Sequence, residues 1–138
     1  QAVDTNILAY ATGLRRIDSD ESKIDQAVAL ILNLTGEGTL VLPAQVLAEL
    51  HHLLRRKGGR TVAAATATVN ELAAGNRVVP TTADILDRAF LLAANHGLQT
   101  YDAIIIGAAA EVGCIILYSE DMQHGFEWNG VQIINPFA

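Results

Sequence analysis

Short apolar segments alternate with longer amphipathic segments along almost the whole chain, and this alternation limits the folds that the sequence can adopt. The apolar segments end near Val3, Leu42, Val79, Tyr118 and Ile134, and segments with helical spacing lie between them. Strands joined by helices in this way form a parallel sheet that is covered by helices on both faces. The pattern therefore predicts an α/β protein with a central, mainly parallel five-stranded sheet.

Capping and turn residues mark the expected ends of the helices. Asp18 or Ser19 is expected to cap a helix that stops at Gly36, and Pro43 to open one that stops at Gly58. The other expected helices are residues 6–11, residues 60–74, a segment from Thr81 or Thr82 to Gly97, and a segment from Thr100 to Gly113. The spacing places some larger apolar residues on inward faces, among them Leu32, Val62, Val69, Leu72 and Phe90.

Length and composition favour one domain, residues 1–138, because 51% of the residues are apolar and can supply a core. No apolar stretch reaches the roughly 18 to 20 residues of a membrane span, and the first residues lack a signal-peptide pattern, so we expect a soluble protein without membrane contact. The single cysteine, Cys114, lies in an apolar run and reads as an inert buried thiol. One unpaired cysteine suits a cytoplasmic location.

Acidic residues occupy positions where ligands bind in open parallel sheets, beyond the carboxyl ends of the strands. Asp4 follows the first strand, Asp121 follows the fourth, Asp102 begins a helix and Glu49 lies on the third helix. Each has an ordinary explanation as a helix cap, a first-turn acid, a turn residue or a solvated side chain. The setting of Glu49 counts against its ordinary explanation as a solvated side chain, since it interrupts the apolar stretch around Leu47 and is expected to be partly buried.

Convergence of these four acids would require a counter-charge. Carboxylates about 5 Å apart repel by roughly 3 kcal/mol per pair at an effective dielectric near 20, so a cluster is stable only when protonated or bridged by cations. Oxygen ligands of this hardness select Mg²⁺ or Mn²⁺. A metal held in this way activates water for attack on a phosphodiester, and the reaction then needs no side-chain nucleophile.

Four motifs also carry a resemblance to a known family, in which they occur in the same order. They are Val-Asp-Thr-Asn at 3–6, Glu49 in a helix after a strand and a proline, Tyr-Asp-Ala-Ile at 101–104, and Tyr-Ser-Glu-Asp-Met-Gln-His-Gly at 118–125. Together they resemble a PIN domain, specifically the VapC-type toxin ribonucleases of type II toxin-antitoxin systems. The resemblance covers essentially the whole chain and implies a PIN-like three-layer α/β/α sandwich.

The resemblance also implies roles for individual residues. It makes Asp4, Glu49, Asp102 and Asp121 the catalytic, metal-binding set for Mg²⁺ or Mn²⁺. Further implications are RNA cleavage that leaves a 5′-phosphate, a cognate antitoxin protein that covers the site, and a homodimer. Glu120 departs from the pattern by placing a second acid beside Asp121, which we favour as the ligand. The supporting polar residues are Thr5, Asn6, Ser119 and Glu120.

A net charge of −6 argues against RNA binding through overall positive charge, so cations must act locally. Two clusters are candidates: Arg55 and Arg56, with Lys57 and Arg60 nearby, and Arg15 with Arg16. The alternative for the Arg55 cluster is a set of cations that complements a helix C-terminus and aids solubility.

Three other readings of the residues stay open. His51 and His52 adjoin Glu49, but no further residue has zinc-ligand spacing. A haloacid-dehalogenase-like phosphatase would need a second aspartate two residues after Asp4, where this chain has Asn6. A catalytically weak domain that only binds RNA or a protein is the non-enzymatic alternative, and the helix expected at 60–74 could supply an interface.

Overall fold

The computed structural model describes residues 1–14 and 20–138. The cap predicted at Asp18 or Ser19 and the cluster of Arg15 and Arg16 lie outside the described residues. Six helices and six strands occur in the described part, and strands and helices alternate much as predicted. In chain order they are β1 (Ala2–Val3), α1 (Thr5–Ala11), α2 (Glu21–Glu37), β2 (Val41–Pro43), α3 (Ala44–Arg56), α4 (Val62–Ala74), β3 (Arg77–Val79), α5 (Ala83–His96), α6 (Thr100–Glu111), β4 (Ile116–Tyr118), β5 (Glu127–Trp128) and β6 (Val131–Ile134).

The strands form one sheet in the order β3-β2-β1-β4-β6-β5, and only the β5–β6 pair is antiparallel. Ala2 of β1 pairs with Val41 on one side and with Leu117 on the other. The chain therefore builds the half containing β2 and β3 first and returns across β1 to build the half containing β4 and β6. The end of β1 is the point where the strand order reverses, which is where ligands bind in open sheets of this kind.

Both faces of the sheet are buried. Successive residues of a strand point to opposite faces, and both residues of β1 are buried, as are Leu42 and its neighbour Val41 in β2. Helices must therefore cover the sheet from both sides, which is the three-layer α/β/α arrangement. The predicted fold class is confirmed.

The prediction of five strands is wrong by one. β5 is a strand of two residues that forms a hairpin with β6 through Asn129 and Gly130, whose φ angles are 47° and 83°. Two successive positive φ angles define the type I′ turn that Asn-Gly favours in two-residue hairpins. The strand is too short to show alternating hydrophobicity, and the turn dipeptide carries the only signal for it.

Several predicted boundaries differ from the structure. α2 continues through Gly36 to Glu37, and Gly38 ends it in the left-handed conformation that glycine adopts readily. Pro43 is the last residue of β2 instead of the first residue of α3, because its backbone is extended. Thr61 caps α4 by accepting a hydrogen bond from the Ala64 amide. As predicted, Thr82 caps α5 and Gly97 ends it.

Three apolar side chains predicted to face inward are exposed instead: Leu32 by 68%, Val62 by 51% and Phe90 by 51%. Helical spacing alone does not determine how wide a face the neighbouring elements cover. In α4, for example, the buried residue is Ala65, while Val69 and Leu72 are partly buried against the core. Cys114 is buried and unpaired, as predicted. No helix in the two described ranges is long and apolar enough to cross a membrane.

Candidate active site

Asp4 is fixed at the end of the central strand by three hydrogen bonds. Its backbone amide donates to the Tyr118 carbonyl at 2.8 Å, which extends the β1–β4 pairing by one residue. As the N-cap of α1, its Oδ1 accepts from the Thr5 amide at 2.7 Å, and its Oδ2 accepts from Ser119 Oγ at 2.8 Å. Ser119 Oγ in turn accepts from the Met122 amide at 3.1 Å. These contacts hold a carboxylate that is only 5% exposed.

Glu49 is a half-buried residue near the middle of α3, and two neighbours orient its carboxylate. Thr5 Oγ1 donates a hydrogen bond to Glu49 Oε2. Gln45 Nε2, one helical turn earlier, donates to Glu49 Oε1 at 3.1 Å. The residue that follows Asp4 in the sequence thus connects the first acid to the second.

The neighbouring acids Glu120 and Asp121 point to different surroundings. Asn6 Nδ2 donates a hydrogen bond to Asp121 Oδ2, so Asp121 faces the start of α1. Glu120 accepts a hydrogen bond from the Tyr10 hydroxyl at 2.9 Å and pairs with Lys23. Asp121 therefore lies beside the other acids, whereas Glu120 connects the loop after β4 to α1 and α2.

Asp102 lies in the first turn of α6, where a negative charge is favoured by the helix dipole. Its side chain is partly buried, and no side-chain hydrogen bond reaches it from any residue that the structure describes. Asp102 is thus the one acid of the four whose carboxylate is not already oriented by a described neighbour.

All four acids line one cavity, of about 220 Å³, at the carboxyl end of β1. We call it the acid cavity. The structure thus places Asp4, Glu49, Asp102 and Asp121 together, at the rim where the sequence predicted convergence. Of the predicted supporting residues, Thr5 and Asn6 also line it and Ser119 contacts Asp4, while Glu120 is not among its walls. The complete lining is Asp4, Thr5, Asn6, Glu49, Leu53, Asp102 and Asp121.

The surroundings of Asp4 and Asp102 favour their neutral forms. Burial raises the pKa of Asp4 to about 6, an effect that the hydrogen bonds from Ser119 and Thr5 oppose and the charges of Asp102 and Glu49 reinforce. Burial also raises the pKa of Asp102, with the charges of Glu49 and Asp121 adding to it. The carboxylates are therefore close enough to repel one another, and a positive charge among them would stabilise the arrangement.

The acids do not form a ready-made metal cage. Within residues 1–14 and 20–138, no group of three or more histidine, cysteine, aspartate or glutamate side chains is arranged so that it could hold a metal ion as it stands. Mutual repulsion separates carboxylates that share a cavity without a cation. The alternative of a zinc site at His51 and His52 also gains no support, since the His51 ring is hydrogen-bonded to Thr66 Oγ1 at 3.0 Å.

The predicted basic cluster at the end of α3 has members in different settings. Arg55 and Arg56 are exposed in the last turn of the helix. Arg60 is used structurally, because its guanidinium donates to the Thr12 carbonyl at 3.0 Å and to Thr68 Oγ1 at 3.2 Å. Lys57 lines a second cavity, of about 240 Å³, beside the acid cavity.

Sequence reasoning missed Ala9, Tyr10, Leu14 and Leu53 of this second cavity, and it named Lys57 only as a member of the basic cluster. Leu53 and Lys57 follow Glu49 at successive intervals of four residues, which places all three near one face of α3. That spacing is visible in the sequence and could have identified them. Tyr10 lies across from them on α1, and nothing in the sequence marks a tyrosine inside an apolar helix as part of a site.

Comparison with known proteins gives one family and several similar structures. The family model described as PIN domain matches residues 2–125. No curated protein sequence gives a significant match. The structure is similar to Mycobacterium tuberculosis VapC20, described as a Sarcin-Ricin loop cleaving toxin, with 24% identity, a TM-score of 0.66, and coverage of 87% of this chain and 88% of that one.

Two further structures are similar over nearly the whole chain. One is a toxin-antitoxin complex from Klebsiella pneumoniae, with 17% identity, a TM-score of 0.70, and coverage of 98% of this chain and 96% of that one. The other is FitAB bound to an IR36 DNA fragment, with 20% identity, a TM-score of 0.68, and coverage of 99% and 95%. At these identities the similarity shows that the folds are alike.

Proposed function

This chain belongs to the PIN domain family, and we propose that it is a Mg²⁺- or Mn²⁺-dependent endoribonuclease that serves as the toxin of a toxin-antitoxin pair. One observation carries the proposal: four carboxylates from four separate elements line a single cavity where the strand order of the sheet reverses. A structural role does not require four acids to share a cavity at a cost in repulsion.

The donor set fits a hard divalent cation. All four candidate ligands are carboxylates, the groups that Mg²⁺ and Mn²⁺ prefer, and the raised pKa of Asp4 reflects a buried charge that a cation would stabilise. A bound metal of this kind supplies an activated water and neutralises charge on a scissile phosphate. In our proposal Asp4, Glu49, Asp102 and Asp121 hold it.

The remaining residues of the cavity position these acids. Thr5 and Gln45 hold the Glu49 carboxylate, Ser119 holds that of Asp4, and Asn6 holds that of Asp121. Groups held in advance need less reorganisation when substrate binds, which is the main way in which such sites lower a barrier. Asp102 has no such support in the described residues, so we assign it the largest movement on metal binding.

The proposed role as a toxin is supported by the descriptions of the similar structures. VapC20 is described as a Sarcin-Ricin loop cleaving toxin, and the Klebsiella structure as a toxin-antitoxin complex. We therefore propose that RNA is the substrate, that an antitoxin protein is the partner, and that the nuclease forms a homodimer in the cytoplasm.

The test compares the wild type with Asp4→Asn, using Asp87→Asn as a matched control, since Asp87 is exposed on α5 and away from the acid cavity. Purified proteins are incubated with RNA in Mn²⁺ or in chelator, and RNA 5′ ends are mapped after expression in cells. We expect Mn²⁺-dependent cleavage and growth arrest from the wild type and from Asp87→Asn only. Equal cleavage by Asp4→Asn would sink the mechanism.

A binding module without turnover is the alternative that this test has to exclude. Such a protein would bind RNA with an intact fold and release no Mn²⁺-dependent products. The same experiment separates the two. The phosphatase alternative has lost its basis, because the chain belongs to the PIN family and Asn6 donates to Asp121 instead of supplying a second acid.

A further inference from the structure

The second cavity continues directly from the acid cavity. The two share Asn6, Leu53 and Asp121 as walls, so an occupant of one touches the boundary of the other. Beyond that boundary, Ala9 and Tyr10 come from α1 and Leu14 lies three residues after its end, while Lys57 directly follows α3. We call this space the α1–α3 pocket.

Helix geometry determines the order in which acidic, apolar and cationic side chains follow one another along the pocket. Glu49, Leu53 and Lys57 follow one another at four-residue steps on α3, so an acid, an apolar surface and a cation succeed each other over about 12 Å. On α1, Asn6 is followed at the same step by Tyr10. The two helices therefore present an apolar gap with the acid cavity at one end and an ammonium group at the other.

The walls of the pocket are firmly held. Tyr10 is almost completely buried, its hydroxyl donates to Glu120 at 2.9 Å, and its ring meets the edge of Phe137 with centroids 5.5 Å apart. Lys57 contrasts with it, because its side chain makes no ion pair or hydrogen bond with any residue in the described ranges. A rigid apolar wall and an uncommitted cation suit a ligand that combines a flat apolar body with negative charge.

We propose that the α1–α3 pocket holds the base of the nucleotide next to the scissile phosphate, with Lys57 contacting a backbone phosphate of that nucleotide. The inference rests on the proposed function. A volume of about 240 Å³ lies below the roughly 300 to 1,000 Å³ of pockets for drug-sized ligands and fits a single base. Ala9, Leu14 and Leu53 offer the apolar surfaces against which a base packs.

An RNA occupant explains both ends of the pocket, and a protein side chain explains only its apolar middle. The end at Asn6 and Asp121 opens onto the acids that, in our proposal, hold the metal beside the reacting phosphate, and the other end carries Lys57. A nucleotide joins an apolar base to phosphates in this order, whereas an apolar side chain leaves the ammonium group without an anion.

The experiment uses the full chain labelled with ¹³C in its alanine and leucine methyl groups. Each of the four nucleoside 5′-monophosphates is titrated in Mg²⁺, with ribose 5-phosphate as the probe that lacks a base. We expect saturable shifts at Ala9, Leu14 and Leu53 with at least one nucleotide, with Kd on the order of millimolar, and none with ribose 5-phosphate. The methyl groups of exposed Leu91 on α5 report non-specific effects.

Lys57→Ala supplies the matching variant, and its exposed position makes a folding defect unexpected. We expect it to raise Kd for the nucleotide roughly fivefold, as loss of one exposed charge contact does. Arg77→Ala, at the start of β3 and thus at the opposite edge of the sheet, removes a positive charge elsewhere and leaves Kd unchanged.

Three results would overturn the pocket: no shift with any nucleotide, equal shifts with ribose 5-phosphate, or equal Kd in Lys57→Ala. The RNA cleavage assay run in parallel keeps the two proposals apart. If cleavage depends on Asp4 but no nucleotide shifts the methyl signals, the nucleotide site is contradicted and the nuclease proposal stands. If a nucleotide shifts the signals in a base-dependent way but no RNA is cleaved, the nucleotide site stands and the nuclease proposal is contradicted.

Discussion

The side-chain amide of Asn6 donates a hydrogen bond to the carboxylate of Asp121, although the two residues are 115 positions apart in the chain. Asn6 lies in the first turn of α1 and Asp121 in the loop after β4, so the bond connects the two halves of the sheet at their common edge. It also distinguishes Asp121 from the adjacent Glu120, whose carboxylate meets Tyr10 and Lys23 instead.

The first prediction uses this difference. Asp121→Asn removes a proposed metal ligand, and we expect Mn²⁺-dependent RNA cleavage to fall by about 100-fold or more. Glu120→Gln is the matched control, one residue away, and we expect cleavage within about threefold of the wild type. Because Glu120→Gln weakens a part-buried ion pair, it should lower the free energy of unfolding by roughly 1 kcal/mol. The reverse ranking in cleavage would make Glu120 the ligand.

The second prediction concerns pH. The pKa of Asp4 is about 6 in the folded protein against 3.8 for the free side chain, so the folded state disfavours its charged form. The contribution of Asp4 to the free energy of unfolding is therefore most favourable below about pH 4, and it is lost as the pH rises through 6. At 1.36 kcal/mol per pKa unit the loss is up to about 3 kcal/mol. In chelator, Asp4→Asn should be more stable than the wild type at pH 7.5 and lose that advantage near pH 4.

Thermal unfolding across this pH range measures the effect, and Mn²⁺ provides the control. At pH 7.5 the metal should raise the Tm of the wild type and leave that of Asp4→Asn almost unchanged, since a ligand that binds only the folded state stabilises it. A stability difference between the two proteins that does not vary with pH would contradict the assignment of the burial cost to Asp4.

The third prediction concerns Thr5, whose hydroxyl orients Glu49. Thr5→Val keeps the shape and removes the donor, so Glu49 loses one of its two hydrogen bonds and we expect cleavage to fall about tenfold, the scale of one lost hydrogen bond to a charged group. Thr5→Ser keeps the hydroxyl and should retain most of the activity. Calorimetric titration with Mn²⁺ should show weaker binding for the valine variant alone. Equal losses in both variants would point to packing of the methyl group instead.

The fourth prediction tests the exposed arginines at the end of α3. Replacing Arg55 and Arg56 with alanine should weaken RNA binding and reduce the slope of log K against log salt by up to about 1.4, since each phosphate contact with a single strand contributes about 0.7. Arg77→Ala with Arg88→Ala is the double control, on β3 and α5. An unchanged slope in the first variant would remove Arg55 and Arg56 from the RNA path.

The central strands and the placement of the acids were predictable because they depend on local patterns. β1 and β2 are buried on successive residues, and β4 is buried at Leu117 and partly buried on either side of it. Such strands appear in the sequence as apolar runs bounded by turn residues. Once β1 and β4 were identified, Asp4 and Asp121 had to lie at the same edge, because parallel strands end together. The acid set thus followed from the strand assignment and from the resemblance to the PIN family.

What escaped prediction depends on neighbours in space. The exposure of Leu32, Val62 and Phe90 follows from which elements pack beside their helices, and helical spacing does not contain that information. The divergent directions of Glu120 and Asp121 depend on the register of the loop after β4, where a shift of one residue would exchange them. The α1–α3 pocket likewise requires knowing that these two helices lie side by side.

The central position of β1 also has a consequence for the synthesis of the protein. Asp4 is made 115 residues before Ser119, the residue that holds its carboxylate. At roughly 5–20 residues per second, translation takes on the order of ten seconds to cover that distance. During that time the growing chain has the first three acids at most and lacks the loop that completes the set. The nuclease that we propose therefore lacks its complete set of acids until the loop after β4 has been made.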